Sequence, residues 1–168
     1  MLRRVAFIFS ICLLLLQLNA CRKGCKNVEC QNGGECFNGS CRCEGRWSGL
    51  YCDTLCPIGF EGRYCASLSR TKFIRTWNAT TFSTNGTNQH PLYVTAGSFA
   101  EQIVISNFNN EGFTVTASML DYDKFEILPQ NATGSYTGSV EGSGYMNGQK
   151  LGINLTKQGI DYFADCNR

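Results

Sequence analysis

Eleven cysteines among 168 residues are the side chains with the most chemical potential in this sequence. Their thiols can form disulfides, bind zinc, accept a lipid or act as nucleophiles. Six of them follow the spacing C-x4-C-x5-C-x4-C-x-C-x8-C between Cys25 and Cys52. Zinc sites use paired C-x2-C or histidine ligands, which are missing here, and His90, the single histidine, lies outside the cluster. We therefore expect three disulfides, formed in an oxidising compartment, to replace a core that so short a segment cannot build.

Glycines complete the pattern around these cysteines. Asn32-Gly33-Gly34 precedes the third cysteine, and Gly49 stands three positions before the sixth. The segment resembles an epidermal growth factor-like (EGF-like) module over residues 25–52. Spacing alone leaves fifteen ways to pair six cysteines. The resemblance implies the pairs Cys25–Cys36, Cys30–Cys41 and Cys43–Cys52.

Another cysteine pair follows at once. The segment from Cys56 to Cys65 repeats the C-x8-C spacing and the closing glycine, and it looks like the last loop of a second EGF-like unit. This resemblance implies a disulfide between the two, in an extra half-loop over residues 53–65. Calcium-binding members of the family carry acidic and amide residues before their first cysteine, where Arg22 and Lys23 stand here. We therefore expect no calcium at this module.

The first twenty residues have the composition of an export signal. Arg3 and Arg4 form a basic start, and the apolar run over residues 5–16 is too short to span a bilayer stably. We predict a signal peptide over residues 1–20.

The end of this segment indicates how the protein is held. Residues 18–21, Leu-Asn-Ala-Cys, resemble a bacterial lipobox. The resemblance implies that Cys21 carries a diacylglyceryl group and that residues 21–24 form a lipid-anchor segment. Two or three acyl chains would hold the protein stably on a membrane. The alternative is a freely secreted protein in which Cys21 forms one more disulfide, with Cys166.

The charge balance argues against a nucleic acid partner. The chain has 15 Lys and Arg against 13 Asp and Glu, and both arginines of the signal are lost on export, which leaves equal numbers. A formal charge of zero provides no electrostatic basis for binding a phosphate backbone.

A second domain begins after a linker over residues 66–71. Its apolar and polar residues alternate with period two, Asn-rich and Gly-rich turns interrupt the alternation, and no window predicts a long helix. Eight short strands joined by short turns favour an antiparallel up-and-down β-barrel or sandwich over residues 72–168. The predicted strands cover residues 72–82, 92–96, 102–108, 112–119, 124–128, 135–143, 149–155 and 160–165.

Two stretches of this domain resemble a lipocalin-like β-domain that follows one EGF-like module in lipoproteins of the Bacteroidetes. They are residues 72–77 (Lys-Phe-Ile-Arg-Thr-Trp) and the glycine-rich residues 142–148. Relatives commonly carry glycine where Arg75 stands and a cysteine shortly after the tryptophan. The missing cysteine would explain why Cys166 has no partner when Cys21 is lipidated.

The sequence shows no arrangement typical of an enzyme. One histidine and scattered acids form no acid–base or metal constellation, so we expect no catalytic residue, no metal and no cofactor. Asp121 and Asp123 could hold a cation across a turn, although two carboxylates at a hairpin tip are usually solvated. The sequence therefore predicts a non-enzymatic binding module, lipid-anchored at the outer membrane or cell surface. Its partner would be a protein, a glycan or a small apolar ligand, held by a β-rich head on an EGF-like stalk.

Two alternatives stay open at this point. An eight-stranded barrel can enclose one small ligand or be filled by side chains, so the head could be a carrier of a small apolar molecule. The protein could also be a secreted eukaryotic adhesion or signalling module, in which N-x-S/T sites would carry glycan. Those sites are Asn38, Asn78, Asn85, Asn131 and Asn154.

Overall fold

The computed structural model describes residues 24–168, so the predicted signal peptide and Cys21 lie outside the described residues. This part of the chain consists of a disulfide module, residues 25–68, followed by a closed β-barrel. Its helical elements are two 3-10 turns, Ser69–Lys72 and Phe108–Asn110. Within residues 24–168, no helix has the length and apolar character that a membrane crossing requires.

The disulfide module has only a small apolar core and depends on its cross-links. Cys41, Cys52 and Cys56 are among its buried residues. Each bridge joins cysteines 9 or 11 positions apart in sequence and stabilises the fold by about 2–4 kcal/mol. The four disulfides within residues 24–168 are Cys25–Cys36, Cys30–Cys41, Cys43–Cys52 and Cys56–Cys65.

Three small antiparallel ribbons complete the module. The first strand pairs with the second, the third with the fourth, and the fifth with the sixth. The strands are β1 (Glu35–Phe37), β2 (Ser40–Arg42), β3 (Trp47–Ser48), β4 (Thr54–Leu55), β5 (Phe60–Glu61) and β6 (Ser67–Leu68).

Eight antiparallel strands between Arg75 and Asn167 form the barrel. Every strand pairs with its neighbours in chain order, and the first pairs with the last, so the sheet closes on itself. The sequence predicts an antiparallel up-and-down barrel or sandwich, and the structure confirms the barrel. The strands are β7 (Arg75–Ser83), β8 (Gly86–Ala96), β9 (Gln102–Ser106), β10 (Phe113–Met119), β11 (Lys124–Asn131), β13 (Ser139–Asn147), β14 (Lys150–Lys157) and β15 (Ile160–Asn167), with the short β12 (Thr133–Gly134) paired to β10.

Alternating side chains fill the barrel. In β10, Phe113, Val115, Ala117 and Met119 point inward and are buried, while the threonines and serine between them are partly or fully exposed. Burial of apolar surface contributes roughly 25 cal/mol per Å², so this packed interior is the main source of the barrel's stability. The buried cluster continues from one end of the barrel to the other.

Trp77 closes one end of the barrel. Its indole Nε1 donates a hydrogen bond to the carbonyl oxygen of Phe73 at 2.8 Å, and the Arg75 guanidinium lies 5.0 Å from its ring centre. Phe73 in turn packs edge-on against Phe125, with ring centroids 5.4 Å apart. We call this the proximal end, and the opposite one the distal end. The proximal connections are residues 97–101, 120–123 and 148–149, and the distal ones are residues 84–85, 107–112, 132–138 and 158–159.

Several strand boundaries differ from the prediction. The first barrel strand begins at Arg75 because the preceding residues form a 3-10 turn. Strand β8 begins at Gly86, six residues before the predicted start. Its first residues are mostly polar and include Pro91, so their pattern does not indicate a strand, but the segment pairs with β7 along its whole length. Strand β9 ends at Ser106, since Asn107 adopts a left-handed conformation with φ 63°.

Cys166 lies on β15 with its side chain in the core. It is 0% exposed and is paired in register with Leu151 and Ala79. Burial raises the pKa of the Cys166 thiol to about 12, and the neighbouring charge of Asp165 adds to the shift. Among residues 24–168 it is the free cysteine. Because the thiol stays protonated and enclosed, it is a poor nucleophile.

Candidate functional site

The disulfide module is seated on the proximal end of the barrel. The segment expected to be a linker is folded into β6 and the first 3-10 turn. From this turn, the Arg70 guanidinium Nη1 donates hydrogen bonds to the carbonyl oxygens of Gly97 at 3.0 Å, Gln102 at 3.1 Å and Phe99. One guanidinium in the turn that follows the module therefore holds the β8–β9 connection, and Gly59 of the module packs against Glu101 of the same connection, where a Cβ would lie 3.1 Å from its Cα.

The β10–β11 turn makes a second contact with the module. The Tyr122 ring packs so closely on Gly45 that a Cβ there would lie 3.0 Å from it. The Nε of Arg46 pairs with a carboxylate oxygen of Asp121 at 3.1 Å. The charge of Asp123, followed by burial and other nearby carboxylates, raises the pKa of Tyr122. Asp121 thus faces a guanidinium, and no group of three potential metal ligands occurs within residues 24–168.

These two contacts fix the orientation of the barrel. The two contacts involve different connections at the proximal end, so a rotation of the barrel about either contact would break the other contact. The ammonium of Lys72 also pairs with a carboxylate oxygen of Glu61 at 2.6 Å. Partly exposed ion pairs contribute little energy, about 0–1 kcal/mol each, but they define a geometry. The distal end of the barrel therefore points away from the module.

An asparagine-rich loop closes the distal end. Asn107, Asn109 and Asn110 have φ values of 63°, 54° and 61°, in the left-handed region that asparagine adopts more readily than most residues. Asn88 Nδ2 donates a hydrogen bond to the carbonyl oxygen of Asn109 at 2.8 Å. This conformation directs Phe108 into the barrel, where it is 1% exposed.

A lysine lies inside the distal end. The Nζ of Lys157 is 4.7 Å from the ring centre of Tyr136 and 5.7 Å from those of Phe113 and Tyr162. The ammonium donates a hydrogen bond to the carboxylate of Glu111. Aromatic faces and a carboxylate are the groups that stabilise a desolvated cation. The aromatic box formed by Phe113, Tyr136 and Tyr162 is therefore already occupied by the protein's own ammonium group.

His90 is buried next to the same loop. It is 6% exposed, and its ring centre lies 6.4 Å from that of Phe108. Neither ring nitrogen has a hydrogen-bond partner among the described residues. Burial lowers the pKa of His90, and a nearby backbone group of Asn88 opposes the shift. The fold therefore favours the neutral imidazole.

We expect the protein to lose stability as the pH falls below about 6.5, the pKa of an unfolded histidine. There the unfolded chain takes up a proton that folded His90 resists, and above that pH this contribution to stability is fully present. His90→Gln should flatten the dependence between about pH 7 and pH 5, where few carboxylates titrate. Thermal unfolding of both proteins across this range measures the difference. Equal slopes would show that another group is responsible.

An exposed aromatic pair lies on the outer face of the barrel towards its distal end. Phe82 on β7 and Phe163 on β15 are cross-strand partners and are 45% and 37% exposed. Their ring centroids are 6.3 Å apart and the rings are inclined by 20°. A groove of about 430 Å³ borders the pair. The other side chains of its wall include Ser83, Thr84, Asn154, Thr156 and Asp161.

The structure brings together residues that lie far apart in the sequence. The eight module cysteines lie in the four disulfides, and Cys21 lies outside the described residues. Phe82 and Phe163 are 81 positions apart in sequence, and sequence reasoning did not recognise them as a pair. The signal that could have found them is the outward position of each on its strand, combined with the strand order of a closed barrel.

Comparison with known proteins supports the EGF-like character of the module. The chain is 50% identical over 41 residues to the mouse protein "Multiple epidermal growth factor-like domains protein 6" and 46% identical over 41 residues to its rat counterpart. The match covers 23% of this chain and 3% of each relative, so the chain spans a small part of the curated proteins it resembles. No protein-family model matches the chain. No solved structure matches it.

Together, the module, its cross-links and the barrel indicate an extracellular or cell-surface binding module. Disulfide-rich modules of this kind form and persist in oxidising compartments outside the cytosol. The resemblance of the barrel to lipocalin-like domains, and of the whole chain to Bacteroidetes lipoproteins, finds no support in these comparisons.

Proposed function

We propose that this protein is a lipid-anchored, non-enzymatic binding protein that holds a β-barrel head close to a membrane and presents its distal half outward. The observation that carries the proposal is the fixed seat of the module on the proximal end, made by Arg70 and Tyr122. The lipobox-like sequence supports an anchor at Cys21, in the segment just before the module.

The short distance from the anchor to the module determines which part of the protein would lie at the membrane. Residues 22–24 separate Cys21 from Cys25, and so short a segment spans at most about 14 Å between the two Cα atoms. A lipid on Cys21 would therefore keep the module at the membrane surface. Since the module covers the proximal end, the distal half of the barrel is the part left for a partner.

The barrel interior supports surface binding over the carrier alternative. Trp77, Phe108 and Phe125 belong to the cluster of buried side chains that packs the interior, and each is at most 1% exposed. Carriers need an enclosed apolar cavity. The position of Cys166 likewise supports a lipid on Cys21 over a bridge between the two, because a bridge would have to enter the core to reach a thiol that is 0% exposed.

The surroundings of the histidine and of the free cysteine support a non-enzymatic role. His90 has no hydrogen-bond partner among the described residues, and the Cys166 thiol is buried with a pKa raised to about 12. General acid–base or nucleophilic catalysis needs such groups to reach a substrate and each other.

The anchor is tested by replacing the cysteine that would carry it. With its own signal in a Gram-negative host, the wild-type protein should fractionate with membranes and incorporate labelled palmitate, and Cys21→Ser should do neither. Cys166→Ala removes a cysteine from the other end of the chain without burying a hydroxyl group in the core, and it should be labelled and fractionate as wild type. Unlabelled wild-type protein, or Cys21→Ser protein that stays in the membrane fraction, would refute lipidation at Cys21.

A further inference from the structure

The side chains of Phe82 and Phe163 form an exposed, stacked aromatic pair on the outside of the barrel, which we call the platform. The two rings are nearly parallel, inclined by 20°, and both are more than one third exposed. An aromatic face carries partial negative charge and attracts the weakly positive C–H groups of a ligand. A ligand with a flat, C–H-rich face would therefore stack on this platform.

Hydrogen-bonding side chains surround the platform. Asn154 on β14 is the cross-strand neighbour of Phe163, and Thr87 on β8 is the neighbour of Phe82, so one row of side chains runs across four strands. The exposed Asn154 amide offers both donors and an acceptor. This row thus combines an aromatic centre with polar ends.

The groove beside the platform adds a fixed acceptor. Thr156 Oγ1 donates a hydrogen bond to Asp161 Oδ1 at 2.7 Å, which holds the carboxylate in one orientation. Among the described residues that line the groove, none is lysine or arginine. The groove therefore disfavours anionic ligands and suits a ligand with hydroxyl donors.

We propose that this platform and groove bind a neutral oligosaccharide, with a pyranose ring stacked on Phe82 and Phe163 and its hydroxyl groups bound by Asn154 and Asp161. This inference rests on the proposed function and specifies the ligand class. A sugar ring has one C–H-rich face and a rim of hydroxyl groups, which matches an aromatic platform with amide and carboxylate neighbours. A purely apolar ligand would displace water from these polar groups without replacing its hydrogen bonds.

The site also lies where an external glycan could reach it. Both phenylalanines are in the distal halves of their strands, because β7 ends at Ser83 and β15 begins at Ile160 at the distal turns. They are therefore remote from the disulfide module at the proximal end. A volume of about 430 Å³ is within the range of small-ligand sites.

The test uses the full-length protein in detergent and a set of neutral hexasaccharides of glucose, mannose, galactose and xylose, with binding measured by titration calorimetry. We expect at least one to bind, and Phe82→Ala to weaken its binding by about tenfold or more. Asn154→Ala keeps the aromatic pair and should weaken binding by about fivefold, through a lost hydrogen bond. Tyr93→Ala removes an aromatic residue that is 43% exposed, from β8, and should leave binding unchanged.

Each other outcome overturns the inference. Absence of binding by every hexasaccharide, or equal binding by wild type and by both Phe82→Ala and Asn154→Ala, would exclude this site. Self-association in sedimentation that Phe82→Ala abolishes, without glycan binding, would assign the platform to a second copy of the chain. The palmitate and fractionation results on Cys21→Ser are independent of this titration, so failure of the glycan site is distinguishable from failure of the anchored-protein proposal.

Discussion

Gly144→Ala should lower the free energy of unfolding by about 3 kcal/mol, although it adds only one methyl group. A Cβ at this inward-facing position of β13 would lie 2.1 Å from Cζ of Phe125. Phe125 is 0% exposed and packs edge-on against Phe73, so its ring cannot move aside without disturbing the proximal core. Chemical denaturation monitored by tryptophan fluorescence measures the loss.

A rescue experiment separates this clash from a general effect on the strand. Phe125→Leu should be destabilising alone, but the double variant with Gly144→Ala should lose less stability than the sum of the two single changes. Ser143→Ala, at the exposed neighbouring position, should change stability by no more than about 0.5 kcal/mol. Additive losses in the double variant would show that the methyl group acts elsewhere than on the Phe125 ring.

Gly144 illustrates which features of the barrel the sequence pattern predicts and which it does not. The alternation of apolar residues predicts eight antiparallel strands in a barrel or sandwich, because strands with one buried face must alternate. The same alternation gives Gly144 no role, since a glycine contributes no apolar side chain to count. Its function is to leave room for Phe125 on the neighbouring strand, and that depends on the pairing of β11 with β13.

Strand β8 shows a different limit. Its first half contains polar residues and Pro91, which lower strand propensity. The structure nevertheless pairs this half with β7 through to the turn. Only His90 and Leu92 point inward near Pro91, and a histidine gives no apolar signal. The tertiary pairing overrides local composition there.

The candidate site could be predicted only in part. An exposed, disulfide-rich module and a β-rich head follow from local patterns. The Phe82–Phe163 platform and the contact between Lys157 and Glu111 join residues 81 and 46 positions apart. Such contacts require the register and order of the strands, which no local sequence window contains.

The largest electrostatic effect is expected when Glu111 is replaced. Glu111→Ala should lower the free energy of unfolding by about 2 kcal/mol, because it leaves the Lys157 ammonium without its carboxylate. That ammonium is mostly buried, with 11% of the side chain exposed, while the Glu111 side chain is 30% exposed. We therefore place the cost below the range of about 3–5 kcal/mol that applies to a fully buried pair.

Lys157→Met should cost less, no more than about 1 kcal/mol, although it breaks the same ion pair. Methionine can fill the box of Phe113, Tyr136 and Tyr162 without a charge, and its sulfur contacts aromatic rings favourably. The carboxylate left behind remains partly exposed and still accepts a hydrogen bond from Asn109 Nδ2 at 2.9 Å. The asymmetry arises because only one of the two charges is deeply desolvated.

The double variant decides between this explanation and simple loss of contacts. If an unpaired ammonium causes the damage, adding Lys157→Met to Glu111→Ala should recover stability, because the charge that lacked a partner is then gone. Glu141→Ala, which removes an exposed carboxylate from β13, should change stability by no more than about 0.5 kcal/mol. Urea denaturation of the four variants and the wild type measures each step. A double variant less stable than Glu111→Ala alone would show that Lys157 stabilises the distal end through its contacts with the rings, whether or not a carboxylate is present.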